Sequence, residues 1–234
     1  MGKLNRLILI LGFLPASLAY GGDIDRLKAD NACNGCQLAQ SQLQFTNLAD
    51  AELQGSNLEK ANLESSDLRG ANLRGANLAK ANLDYCDLSG ADLSGANFDG
   101  ASLEGANLAG AILVKTSFKK ARLRLTNMQG VKAEGANFTS ANFTYAKMER
   151  SEFKDAIFDD AHLVWAKMDL ADLTNARLVG ALIEETTLNG ADLRGARLGD
   201  AQMIMVTYHQ ALLVGAHWVD GRLCKKGSVG SCVR

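Results

Sequence analysis

The sequence predicts an all-β chain wound as a solenoid, on three observations. From Leu38 to Leu223 every fifth residue is apolar, mostly Leu, with Phe, Met, Ile183, Tyr208, Trp218 and Ala133 in the remaining slots. Two residues before each of these stands a small side chain, most often Ala. Proline, which would remove a ladder donor, occurs only at Pro15, ahead of the periodic region.

A spacing of five fits neither the 3.6 of a helix nor the plain alternation of a strand, although the Ala and Leu content favours helix by propensity. The local unit Ala-x-Leu does alternate. It sends the small and the large residue to one face and a polar residue, often Asn or Asp, to the other. The next two residues, often Gly, Lys or Asp, turn a corner. Repeated without insertion, this winds the backbone into coils lined by Ala and Leu, each hydrogen-bonded to the next.

The run "GANLRGANLAKANLDYCDLSGADLSGANF" resembles the pentapeptide repeat family, whose motif is A(D/N)Lxx, and residues 36–223 keep the pattern. The resemblance implies a right-handed quadrilateral β-helix with four pentapeptides per coil, so that residues 20 apart stack. About nine coils at ~4.8 Å each would make a rod of roughly 45 Å. Folding the sequence on that period puts like on like: Phe98, Phe118, Phe138 and Phe158 form one file and Met128, Met148 and Met168 another. Ala133 leaves a gap among larger neighbours, and Phe138, Phe143 or Phe153 is expected to lean into it, because voids cost stability. In two corner files glycine dominates, which points to corners that use positive φ or sit flat. A third corner changes from Lys60, Lys80 and Lys120 to Asp160, Asp200 and Asp220.

The ends depart from the repeat. Lys3 and Arg6 precede "LILILGFL", and "SLA" at 17–19 suits a signal peptidase, so residues 1–19 are expected to be a cleaved signal peptide. About 13 apolar residues fall short of the ~18–20 that span a bilayer, and no transmembrane segment is expected after cleavage. Without Lys3 and Arg6 the chain has 23 basic against 26 acidic residues, a balance too mild to imply nucleic acid. The expected location is periplasmic or extracellular, where disulfides persist. Residues 20–35 would form an N-terminal cap and 224–234 a C-terminal turn. Five cysteines leave one unpaired. Cys224 and Cys232, around Gly227 and Gly230, read as a turn closed by a disulfide. The resemblance implies a structural cap bond between Cys33 and Cys36, whose CxxC spacing alone also fits a thiol-disulfide redox site. Cys86, on a small inward position of a middle coil, is the expected free, buried thiol.

The surface offers two candidates. Phe45, Tyr85, Leu125, Tyr145, Trp165 and Met205 occupy one corner file, with Val164 and Ile204 beside the last two. A strip of exposed apolar residues marks an interface, unless it covers backbone or a cap. Close by, Lys115, Lys119, Lys120, Arg122, Arg124 and Lys132 form a basic band with no acid between Glu104 and Glu134. It would attract an acidic protein or an anionic polymer, or remain a solvated face. His162, His209 and His217 fall on three different outward columns without metal-ligand spacing. No nucleophile and base converge in a pocket, so neither an enzyme nor a cofactor is expected. The preferred reading is an exported structural or interaction scaffold that binds a macromolecule through the apolar corner. Two alternatives stand beside it: a topoisomerase-interacting DNA mimic of the quinolone-resistance type, known in this family, and a redox protein using Cys33 and Cys36.

Overall fold

The computed structural model describes residues 16–233. Most of the predicted leader therefore lies outside the described residues; Ala16–Ala19 open helix α1 (Ala16–Asp30). This helix departs from the all-β expectation. It ends where Asn31 takes the left-handed conformation (φ 51°), a common helix stop. It sits on the first coil through buried Leu27 and the adjoining Ile24. The N–H of Gln37 donates to Asp23 Oδ2 at 2.8 Å, and Asn31 Nδ2 to Ala49 O at 2.7 Å.

Beyond α1 the chain winds as the period demands. Parallel bridges link residues 20 apart, from Ala32↔Glu52 to Arg197↔His217. Each side of a coil pairs through one central residue between two turns, which leaves little room for longer strands. Among the described residues only β1 (Leu182–Glu184) and β2 (Gln202–Ile204) extend to three residues, with Ile183 opposite Met203. The ladder follows one rule: Leu58 N–H donates to Asn77 O at 2.7 Å, and Asn57 N–H to Cys36 O at 2.8 Å.

Corners are tight turns, as in the 2.9 Å bond from Ala61 N–H to Leu58 O. Positive φ is not confined to the glycine files: every fifth residue from Gly35 to Gly215 adopts it, Lys60, Tyr85 and Trp165 included. A positive φ at the third position of a β-turn is the type II requirement. The motif's Asn or Asp serves these turns. Asn57 Oδ1 accepts from Glu59 N–H at 3.2 Å, and Asn77 and Asn97 pass side-chain hydrogen bonds up the same column at 3.2 Å. One residue type thus caps its own turn and ties neighbouring coils.

The inward columns fill the rod. Phe98, Phe118, Phe138 and Phe158 stack with centroids 4.8, 5.3 and 4.9 Å apart, close to the strand spacing itself. Ala133 falls between Leu113 and Phe153 in its column. Beside it Phe138 meets Phe143 and Phe153 edge-on at 5.3 and 6.0 Å. Buried hydroxyls at small inward slots bond to carbonyls, as Thr116 Oγ1 does to Leu93 O at 2.8 Å, which meets the requirement that buried polar groups be paired; among the described residues Ser41 Oγ, in the first coil, is the exception.

The fivefold spacing continues to Leu223, but the winding does not. Leu223 is 53% exposed. Bridges His217↔Leu223 and Leu212↔Val229 are antiparallel. Glycine at Gly221 (φ 77°) in place of the usual Ala lets the chain reverse.

Candidate interaction surface

The corner file is exposed, and the described residues of the two end segments do not cover it. Phe45 and Met205 are 79% and 75% accessible, and Tyr85, Leu125, Tyr145 and Trp165 lie between 44% and 62%. Ile204 is exposed and Val164 half-buried. All six corner residues carry φ between 53° and 64°, a region that costs a non-glycine residue roughly 1–2 kcal/mol. Bulk here is therefore unfavourable for the backbone as well as for solvation.

The corner side chains lean toward the following coil. A Cβ added at Gly105 would stand 2.7 Å from the Tyr85 ring, and one at Gly190 2.7 Å from Leu170 Cδ2. Phe45, Tyr85, Leu125, Trp165 and Met205 recur every 40 residues, with Ser65, Gly105 and Glu185 at three of the four slots between. At Gly105 the absent side chain makes room for the ring leaning over it. Tyr145 breaks the alternation and stacks on Trp165 with centroids 6.0 Å apart and planes 15° apart. With Leu125 one coil earlier, three large residues occupy consecutive coils here, and nowhere else in the file do even two.

The basic band divides on folding. Lys115, Lys120 and Leu125 are successive corners of one coil, and Lys132 projects from another side between Ile112 and Glu152. The band girdles the rod, so only Arg122 and Arg124 adjoin the apolar file. Arg122 is anchored by its Nη2, which donates to Ser102 Oγ at 2.9 Å. Lys147 and Lys167, exposed and one bridge apart, follow Tyr145 and Trp165 by two residues. They escaped sequence reasoning because they lie outside the acid-free stretch.

Among the cysteines, Cys33 is bonded to Cys36 and Cys224 to Cys232. Cys33 and Cys36 are buried, which withholds the disulfide from attack by an external thiolate. Cys86 is free and buried, and its S–H donates to Leu63 O at 2.7 Å. Burial pushes its pKa up to about 12. The three histidines lie on different sides, as their bridge and corner positions require. No helix among the described residues is long and apolar enough to cross a membrane.

An unbroken stack of parallel-bridged, four-cornered coils defines a class of protein: a β-solenoid with a filled interior. The pentapeptide repeat family profile matches residues 33–70, 71–108, 101–139, 136–175 and 171–204. The chain belongs to the pentapeptide repeat family, whose fold is the right-handed quadrilateral β-helix. Among solved structures it resembles the plasmid-mediated fluoroquinolone resistance protein QnrB1, at 15% identity and TM-score 0.60, over 71% of this chain and 90% of that one. It also resembles HetL, involved in heterocyst differentiation regulation in the cyanobacterium Nostoc sp. strain PCC 7120, at 28% identity and TM-score 0.47, over 86% of this chain and 98% of that one. A third relative is Rfr23 from the cyanobacterium Cyanothece 51142, at 28% identity and TM-score 0.45, covering 64% of this chain and all of Rfr23. Comparison with curated proteins returns no match.

Proposed function

We propose that the protein is an exported, non-enzymatic interaction scaffold, cleaved after Ala19 and acting in the periplasm or outside the cell. In this reading a rod of about nine coils holds the corner from Leu125 to Trp165, with Arg122 and Arg124 beside it, toward a protein or anionic polymer. The observation that carries it is the Tyr145–Trp165 stack, two exposed rings held 6.0 Å apart on left-handed corner residues. Conformation and solvation both favour glycine or a polar residue at those slots, so a partner that buries the rings is what offsets the cost.

The test compares pull-downs from the exported compartment using wild type and Tyr145→Ser/Trp165→Ser. Loss of a specific partner is expected; equal recovery of every partner ends the reading. Mass analysis of the mature protein tests export, with Tyr20 as the expected first residue. The DNA-mimic reading has no particular observation in its favour, since the likeness to QnrB1 concerns the fold. An effect of the purified chain on DNA supercoiling would restore it. Likewise, disulfide exchange by the native protein at a rate that Cys33→Ser abolishes would restore the redox reading.

A further inference from the structure

The two ends of the rod are closed differently, and the C-terminal closure is incomplete. In each middle coil the N–H groups of the large inward residue and of the corner residue two positions on donate to the residue nineteen further along: Leu163 to Leu182 O and Trp165 to Glu184 O, both at 2.8 Å. By that rule Met203 and Met205 would donate to the carbonyls of Arg222 and Cys224. Those carbonyls are engaged elsewhere: Arg222 O accepts from Trp218 N–H and Cys224 O from Gly215 N–H, each at 2.8 Å. The returning tail pairs with Leu212 and His217, and so covers two adjacent sides of the last coil. Among the described residues nothing pairs onward with the other two, through Met203 and Tyr208, which keep an open strand edge.

The side chains tell the same story. One coil earlier Ile183, Thr186, Leu188 and Leu198 are fully buried, whereas Met203, Val206, Tyr208 and Trp218 in the same columns are only partly buried. With Met205 and Val219 they line an open recess of about 300 Å³. Tyr208 and Trp218 meet edge-on at 5.6 Å across it. A strand edge beside an apolar socket is a template for strand addition.

We propose that this edge, from Met203 to Tyr208, docks an extended segment of a partner protein, added in parallel as one further half-coil. The occupant's chemistry follows from what the rod lays on each of its own earlier coils. A small residue and, two positions on, a large apolar one would pack on Met203. The same pair five residues later would pack on Tyr208, with polar residues between them facing solvent. The docked backbone would supply the carbonyls that the Arg222 and Cys224 positions withhold from Met203 and Met205. This site is independent of the Tyr145–Trp165 corner.

The test uses the full mature chain and a labelled peptide copying residues 161–170, "AHLVWAKMDL", which covers the corresponding two sides of an inner coil. Saturable polarisation is expected, with at least about tenfold slower exchange of the Met203 and Met205 amides on binding. The same peptide carrying Leu163→Asp and Met168→Asp should not bind, a comparison that leaves the fold of the rod untouched. Three results would overturn the proposal: no saturable binding up to about 1 mM peptide, equal binding of the Asp-bearing peptide, or a sedimenting dimer in which those amides are already protected. The last would mean that a second copy of the chain takes the edge.

Discussion

At the residue scale, one backbone requirement separates the corner positions from the inward ones. The corners need a left-handed residue whatever its side chain, so Leu125→Gly should stabilise the chain by about 0.5–1 kcal/mol, read as a raised denaturant midpoint at unchanged slope. Such a gain would show that the apolar corner is kept at the expense of stability. Cys86 is governed by burial instead. With its pKa at about 12 and its thiol hydrogen-bonded inside, it should resist alkylation in the native protein at pH 8. In denaturant the mature chain should yield one modifiable thiol; three or more would exclude one of the two disulfides.

At the element scale, the phenylalanine file and the tail bear the most consequence. Phe138 touches four other rings, so Phe138→Ala should cost about 3–5 kcal/mol, seen in chemical denaturation. The tail crosses the last coil on few backbone bonds. Closing its short loop through Cys224 and Cys232 is worth about 2–3 kcal/mol in the chain-entropy view. Replacing both by Ser should free residues 222–233 and expose Leu213, with faster amide exchange at Leu213 and Gly215 before the rest of the rod responds. Unchanged exchange there would show that the tail holds without its bond.

At the scale of the whole molecule, acidic side chains brace the outside of the rod, some within one turn, as Asp67 with Arg69 and Asp192 with Arg194, and some between coils, as Asp92 with Arg74 and Asp159 with Arg177. Asp67 is held below its usual value of 3.8 chiefly by the Arg69 guanidinium. At Asp92 and Asp192 burial pushes the pKa up, but hydrogen bonds from Ser94 and Arg74, and from Arg194, outweigh it and leave both lowered. Carboxylates depressed in the folded state stabilise it above their unfolded pKa, and that contribution is lost as pH falls through the folded value. The thermal midpoint should therefore hold down to about pH 4 and decline below it. Asp92→Asn/Asp192→Asn should make that decline shallower; an identical decline would place the acid sensitivity elsewhere.

The period of five, with Ala and Leu inward and Asn or Asp outward, was legible in the chain because each pentapeptide is a local unit whose alternation and turn are decided within a few residues. The address of Trp165 beside Tyr145 followed once a 20-residue coil was assumed, since stacking repeats that coil without slippage. The positive φ at Tyr85 or Trp165 was hidden, because nothing in an aromatic side chain announces the turn that its neighbours impose. Helix α1 was hidden too, as was the reversal that exposes Leu223. At the ends no adjoining coil enforces the pattern, and long-range contacts of Leu27 on one side and Cys224 on the other choose the path. The sequence alone thus determined the winding, its register and the corner file. Only the tertiary structure decided how the winding stops, because a ladder needs a next coil to complete it and the tail supplies hydrogen bonds to two sides of four.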